Sequence, residues 1–376
     1  MELVERAMLV RENRQRYLKH VESVQDMDII YIKRCFELAA QARSSVSPNP
    51  MVGCVIVRDQ QILAEGFHKY KGSDHAEIDA LKKISNADGA TLYCNLEPCC
   101  HIKKATPPCA PEIIKRGIKK VVISNLDPNP QVAGKGVEQL RNAGIEVVVG
   151  VEESAGAELN KVFFTNMNQQ RAFITLKFAQ TLDGKLSTAS GDSKWISSES
   201  SRKRAHQLRL DHSAVMVGSR TVNNDNPTLD IRYDLETNGK TPWRLVVGSL
   251  ENLDWSSNVF TDSNKNKTVV ITTSDKALAP SDIEVIQVAA PINFKNLWKL
   301  LLERNITSVL VEGGPKLLSS IIEQDAFDAI EVFIAPRLLG DGIAISGRAQ
   351  ELMKNTIQLT GEDIHVSARR SQCSLA

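Results

Sequence analysis

The chain reads as an α/β protein of two domains, and three observations carry that reading: a length of 376 residues, an alternation of short apolar runs with helical stretches in both halves, and a change of composition midway. At ~150 residues for a typical domain, the length asks for two cores. Six of the seven cysteines (Cys35, Cys54, Cys94, Cys99, Cys100, Cys109) fall in the first third, whereas all four tryptophans (Trp195, Trp243, Trp255, Trp298) fall in the second half. Lys plus Arg total 46 against 45 Asp plus Glu, so the protein has no general field for a polyanion, and no nucleic-acid partner is expected. No apolar run approaches the ~20 residues of a membrane span, and no membrane partner is expected either. Residues 1–26 are rich in Arg, Glu and Gln, without the apolar core or cleavage site of a secretory leader, so a cytoplasmic location is expected. In a reducing compartment an odd cysteine count favours metal or thiol chemistry over disulfides.

Residues 1–25 form a charged extension with Leu3, Met8 and Leu9 as its few apolar positions. The spacing Ile29, Ile32, Phe36, Ala39, Ala40 predicts a helix from Asp28, stopped by Ser47-Pro48-Asn49-Pro50. Two apolar runs, 52–57 and 61–66, flank Arg58-Asp59-Gln60 as a hairpin. A helix at 75–83, a strand at 91–95, a helix at 111–116, a strand at 121–124, a helix at 136–142 and a strand at 145–149 follow, which argues for largely parallel pairing after the hairpin. The polar stretch 166–171 precedes a new strand at 173–177, which places the boundary near residue 170 and the domains at 27–170 and 171–376. The second half repeats the alternation, with strands at 214–217, 244–247, 268–272, 308–311 and 329–334 and helices at 198–209, 296–304 and 315–323.

The chemistry is densest in the first half. His75-Ala76-Glu77 opens a helix, Pro98-Cys99-Cys100 follows a strand, and Pro107-Pro108-Cys109 opens another helix. One imidazole and two thiolates fill three corners of a zinc tetrahedron and leave the fourth to water, the mark of a catalytic rather than a structural zinc. Glu77, two residues after His75, is placed to take a proton from that water and return it to a leaving amine. His-x-Glu followed by Pro-Cys is the zinc-deaminase pattern. Cys100 stands beside Cys99 as a rival ligand.

The run of motifs is specific: Ser47-Pro48-Asn49-Pro50-Met51-Val52-Gly53, Gly66-Phe67-His68, His75-Ala76-Glu77, Leu96-Glu97-Pro98-Cys99-Cys100-His101 and Thr106-Pro107-Pro108-Cys109. It resembles the deaminase half of the bifunctional riboflavin-biosynthesis deaminase/reductases. The resemblance implies a cytidine-deaminase-like α/β/α domain with zinc on His75, Cys99 and Cys109, Glu77 as proton shuttle, and substrate contacts from Asn49, His68 and the loop before Thr106. The chain departs from the family pattern in that loop: His101-Ile102-Lys103-Lys104-Ala105-Thr106 is one residue longer and lacks a glycine. Lys104, with Lys103 as the alternative, supplies the basic residue expected there.

In the second half, Ser308-Val309-Leu310-Val311-Glu312-Gly313-Gly314-Pro315 joins an apolar strand to a helix through two glycines, an arrangement that offers backbone N–H groups to an anion. Gly134-Lys135-Gly136 is superficially similar but lacks a third glycine, and reads as a plain turn. Thr181-Leu182-Asp183-Gly184, Ser193-Lys194-Trp195-Ile196, Val217-Gly218-Ser219-Arg220-Thr221-Val222, Asp225-Asn226-Pro227-Thr228-Leu229 with Arg232, and Val311-Glu312-Gly313-Gly314 together resemble the reductase half of the same family. That likeness implies a dihydrofolate-reductase-like domain that uses NADPH to reduce a ribosyl unit to ribityl. It puts Ala179, Trp195, Thr221, Asp225 and the Gly314, Pro315, Lys316 turn at the cofactor, and Ser193, Arg209, Leu229, Arg232 and Glu312 at the substrate. Arginine forks suit a sugar phosphate, and Thr272, Thr273 and Ser274 follow a strand where hydroxyls would meet a 2′-phosphate. The expected partners are pyrimidine ribosyl phosphates and further copies of the chain. The rival readings are a nucleic-acid base deaminase with an accessory domain, disfavoured by the near-neutral charge, and a zinc-stabilised binding protein in which Glu77 would be dispensable.

Overall fold

The computed structural model describes residues 24–100, 107–129, 132–190, 196–275 and 279–370. The chain parts into two units, Met1–Lys161 and Val162–Ala376.

The first unit is a five-stranded sheet in the order β2-β1-β3-β4-β5, with β1 Gly53–Arg58, β2 Gln61–Phe67, β3 Thr91–Leu96, β4 Lys120–Asn125 and β5 Glu146–Val149. β1 pairs antiparallel with β2 and β3, and the pairs β3–β4 and β4–β5 are parallel. The expected hairpin and the parallel pairing after it are both present. Side-chain alternation explains why both faces are covered. Val55, Tyr93 and Val122 pack against Tyr31, Ile32, Cys35 and Leu38 of helix α1, Val24–Ala40. The alternate positions Cys54, Ile56, Leu92, Cys94, Val121 and Ile123 are equally buried on the opposite face, where α2 (Ala76–Leu81), α3 (Cys109–Lys115) and α4 (Lys135–Asn142) follow one another.

Two glycines set these layers at close range. A Cβ on Gly53 would stand 2.1 Å from the carbonyl oxygen of Cys35 in α1, and one on Gly66 would stand 2.4 Å from that of Ala76 in α2. Two helices absent from the sequence reading follow β5: α5, Glu153–Leu159, and α6, Lys161–Gln169. Asn166, within the stretch read as a polar connection, is buried and donates from Nδ2 to the carbonyls of Arg171 (2.8 Å) and Thr307 (2.9 Å). The residue that looked like linker is an anchor.

The second unit contains a nine-stranded sheet in the order β11-β10-β9-β8-β12-β6-β13-β16-β15. Its strands are β6 Phe173–Thr181, β8 Ala214–Gly218, β9 Trp243–Val247, β10 Thr268–Thr272, β11 Glu284–Gln287, β12 Ser308–Val311, β13 Ala329–Ala335, β15 Leu352–Thr360 and β16 Asp363–Arg370. Two short strands, β7 Ser187–Thr188 and β14 Gly342–Ile343, pair separately. The helices that matter for the site are α7 Glu199–Asp211, α8 Ser219–Asp225, and, beyond α9 (Asn258–Thr261) and α10 (Phe294–Glu303), α11 Pro315–Glu323. From β11 to β13 every pairing is parallel, whereas β13–β16 and β15–β16 are antiparallel. The terminal hairpin and β11 were absent from the sequence reading. β12 sits between β6 and β8, so chain direction across the sheet reverses there, and a crevice opens at the C-terminal ends of these three strands.

Candidate functional site

In the first unit, three chain segments meet at one point. His75 is the residue before α2, Cys99 follows β3, and Cys109 begins α3. His75 Nδ1 lies 3.4 Å from Cys99 Sγ and 3.3 Å from Cys109 Sγ, and the two sulfurs are 3.7 Å apart. These ligand atoms all lie within 4.8 Å of one another, and Cys100 is not among them. The hydrogen bond with Cys109 and the nearby His75 hold the Cys99 thiol low, at about 4, while Cys109 is pushed up. One nitrogen and two sulfurs at this spacing fit zinc.

Glu77 is buried on the first turn of α2, and burial pushes its carboxyl upward against the attraction of His75. His68 stands edge-on to His75 with ring centroids 5.6 Å apart. His68 Nδ1 faces the carbonyl of Asp74 at 3.0 Å, so that nitrogen carries the proton, and Nε2 accepts from Asn49 Nδ2 at 3.0 Å. Asn49 is held in turn through Met51, whose N–H donates to Asn160 Oδ1 (2.8 Å) and whose carbonyl accepts from Asn95 (2.9 Å) and Asn160 (2.9 Å). Lys104 and the rest of the lengthened loop lie outside the described residues.

Sequence reasoning missed what holds Cys99. Glu97 is buried, and its carboxylate accepts four backbone N–H groups: Asp127 (3.2 Å) and Gly134 (2.9 Å) at Oε2, Gly136 (2.9 Å) and Val137 (3.1 Å) at Oε1. The Gly134-Lys135-Gly136 segment is thus more than a turn. It is an anion-binding nest whose anion is the protein's own carboxylate. A Cβ on Gly136 would meet the carbonyl of Pro98 at 2.1 Å, so only glycine lets α4 close on the Pro98-Cys99 segment. The paired glycines were the available signal.

In the second unit a cavity of about 640 Å³ fills the crevice at the ends of β6, β8 and β12. Ala179, Thr221, Asp225, Gly314, Pro315, Arg209, Arg232 and Glu312 all line it. Lys316 and Leu229 do not. Leu229 is buried in the core with Val215, Val217 and Val246, so only its backbone remains for a ligand. Ser193 and Trp195 lie outside the described residues. Lys177 and His206 also line the cavity and were missed, because a lysine within a strand and a histidine within a helix carry no motif.

Arg209 is not a free fork. Its Nε and Nη2 donate to the two oxygens of Glu312 at 2.6 and 3.1 Å, and its Nη1 donates to the carbonyl of Asp230 at 2.8 Å. Lys177 Nζ stands 3.6 Å from Glu312 Oε2. Burial alone would raise the Glu312 carboxyl, but Arg209 and Lys177 outweigh it and carry it to about 2. Gly314 caps α11 with bare backbone, and the nearest atom to a Cβ placed there would be Thr221 Oγ1 at 3.8 Å, so the cradle stands open to a ligand. Two of the three hydroxyls proposed for a 2′-phosphate make other contacts: Thr272 Oγ1 accepts from Ser274 N–H at 3.0 Å, and Ser274 Oγ donates to Glu251 at 2.9 Å. An anionic Glu251 beside Ser274 argues against a phosphate there.

Comparison with known proteins agrees with this division. Residues 26–125 match the cytidine and deoxycytidylate deaminase zinc-binding region, and residues 172–366 match the RibD C-terminal domain. The riboflavin biosynthesis protein RibD of Aquifex aeolicus is 42% identical over 92% of this chain and 99% of its own length. That of Actinobacillus pleuropneumoniae is 39% identical over 90% and 94%. Among solved structures, a RibD of Acinetobacter baumannii aligns with a TM-score of 0.84 at 33% identity, covering 93% of this chain and all of that one. The Thermotoga maritima diaminohydroxyphosphoribosylaminopyrimidine deaminase/5-amino-6-(5-phosphoribosylamino)uracil reductase aligns with a TM-score of 0.82 at 36% identity over 93% and 100%. A cytidine-deaminase-like zinc domain followed by a dihydrofolate-reductase-like domain defines a bifunctional deaminase and reductase, as the motifs led one to expect. The chain belongs to the RibD family of riboflavin-biosynthesis enzymes.

Proposed function

We propose that the first unit hydrolyses the exocyclic amine of 2,5-diamino-6-(5-phosphoribosylamino)pyrimidin-4(3H)-one. The second unit then reduces the ribosyl side chain of 5-amino-6-(5-phosphoribosylamino)uracil to ribityl, with NADPH in preference to NADH. The observation that carries this reading is that each unit holds its own constellation: His75, Cys99 and Cys109 beside buried Glu77 in one, and the cavity around Glu312 and Gly314 in the other.

His75, Cys99 and Cys109 hold zinc, which supplies the Lewis acidity that makes water nucleophilic at neutral pH. Glu77 takes the proton from the attacking water and passes it to the departing amine, so ammonia leaves neutral. The Oδ1 of Asn49, oriented by the bond from its Nδ2 to His68, accepts from the pyrimidine edge, and Lys104 serves the phosphate. In the second unit Ala179, Trp195, Thr221, Asp225 and the Gly314, Pro315, Lys316 turn hold the nicotinamide nucleotide, which supplies the hydride that no side chain can. Glu312, kept ionised by Arg209 and Lys177, and Ser193 serve the sugar, with the Leu229 backbone, and Arg232 takes the phosphate. Arg220, exposed on the α8 side of the cavity, offers a cation for the 2′-phosphate of NADPH.

The protein works in the cytoplasm as a homo-oligomer. The exposed edge strand β15, with Ile357 70% and Leu359 78% accessible, supports self-association. The purified chain, incubated with the diaminopyrimidine phosphate, should release ammonia without a nucleotide and form the ribityl product only when a nicotinamide nucleotide is added. Equal kcat/KM for NADPH and NADH would reject the stated preference. Failure to release ammonia from a zinc-loaded sample would reject the deaminase reading.

A further inference from the structure

The loop that brings Arg232 to the cavity lies between α8 and β9, and its backbone is unusual. Asn226, Leu229, Tyr233 and Asp234, none of them glycine, lie in the left-handed region with φ of 42, 54, 70 and 54°. Such a path persists only where neighbouring groups over-determine it. Two contacts from one face of α7 do so. Arg209 Nη1 donates to the Asp230 carbonyl at 2.8 Å, and one turn earlier His206 Nδ1 accepts the backbone N–H of Arg232 at 2.9 Å.

The His206 ring also meets Tyr233 edge-on, with centroids 5.1 Å apart, and lines the cavity while itself buried. Because a backbone N–H can only donate, Nδ1 must carry a lone pair, and the proton resides on Nε2. Among the described residues the Arg232 side chain, 62% exposed, is otherwise paired with Asp230 alone, at 3.1 Å. An exposed pair of that kind contributes little to position. Where the guanidinium points is therefore decided at its own backbone.

We propose that His206 is a positioning residue of the reductase: by accepting the Arg232 amide it fixes the 226–234 loop, so that Arg232 presents its guanidinium to the phosphate of the substrate. The proposal rests on the cavity being the reductase centre.

The test uses the full-length protein and separates acceptor position from bulk. The Oδ1 of asparagine falls about where Nδ1 lies, whereas the Oε1 of glutamine extends to the site of Nε2. His206→Leu and His206→Gln should each raise the reductase KM for the phosphorylated substrate by roughly tenfold, the effect of leaving one buried N–H unpaired. kcat, the KM for the nicotinamide nucleotide and the deaminase rate should change little. His206→Asn should recover most of the loss, and with the dephosphorylated substrate all four proteins should perform alike.

A parental KM in both the Leu and Gln variants would overturn the proposal, as would equal losses on phosphorylated and dephosphorylated substrates or an Asn variant as impaired as Gln. If His206→Leu does not fold, the contrast between Asn and Gln decides. Glu312→Gln tells the two readings apart. If it leaves reduction intact, the cavity is not the reductase centre and the proposal falls with it. If it abolishes reduction while the His206 variants keep the parental KM, only the positioning role is lost.

Discussion

Glu77 and Glu312 are both buried carboxylates, yet their surroundings drive them in opposite directions, and their roles divide accordingly. Replacing Glu77 with glutamine keeps the volume and leaves His75, Cys99 and Cys109 in place. Glu77→Gln should therefore retain zinc, measured by metal analysis, while deamination falls by a factor on the order of 10² to 10⁴. Parental turnover would remove Glu77 from the mechanism, and loss of metal would recast it as structural support. Glu312 is held near 2, below the ordinary 4.5, so it stabilises the folded second unit fully above about pH 4.5 and progressively less as pH falls toward 2. Its contribution is on the order of 3 kcal/mol. The stability gap between the parent and Glu312→Gln should narrow over that window. Tryptophan emission reports it, since all four tryptophans belong to this unit. A gap independent of pH would show that Glu312 is not the titrating group.

Among the elements, α2 shows how one glycine on a strand sets the position of the helix that carries Glu77. Gly66 in β2 lies against α2, with Ala76 O and Ala80 N at 2.4 and 2.5 Å from where its Cβ would stand. Gly66→Ala should push α2 and Glu77 away from Cys99, at a cost of ~1–3 kcal/mol in the first unit. Deamination and zinc affinity should fall while reduction continues, and an alanine variant with parental deamination would show that the helix can shift freely. At the other end of the chain, β15 leaves its outer edge unpaired within the sheet and exposes Ile357 and Leu359 on one side of the strand. Placing lysine at Ile357 and Leu359 should lower the molar mass seen by light scattering while the far-ultraviolet spectrum is kept. An unchanged mass would exclude this edge as the contact.

For the whole molecule, the division into Met1–Lys161 and Val162–Ala376 predicts two separately folding parts, each large enough for its own core. The position of the cut matters. A break near residue 170 would strip α6 from the second unit and with it Asn166, whose amide satisfies the carbonyls of Arg171 and Thr307. Fragment 162–376 should therefore unfold at a higher temperature than fragment 171–376, by several degrees for the ~1–3 kcal/mol lost. Both should be tested for reduction, and fragment 1–161 for zinc and deamination. If fragment 1–161 binds zinc but deaminates only with the other fragment present, the roles are not divided as proposed.

The sequence by itself determined the α/β class, the strands of the two large sheets up to β13 apart from β11, and the candidate set His75, Glu77, Cys99 and Cys109, because period-2 and period-3.6 patterns and motif spacings are local properties of the chain. The terminal hairpin escaped it. β15 is an edge strand exposed on both faces, so burial imposes no alternation that could be read. Helix α6 escaped because its anchor is an asparagine, a residue as common in connections as in cores. Only the tertiary structure decided which polar groups meet: Glu97 with the nest 37 to 40 residues later, His206 with the amide of Arg232, and Arg209 with Glu312 103 residues away. Such pairings depend on which elements the sheet order and helix packing bring side by side, and no local period encodes them.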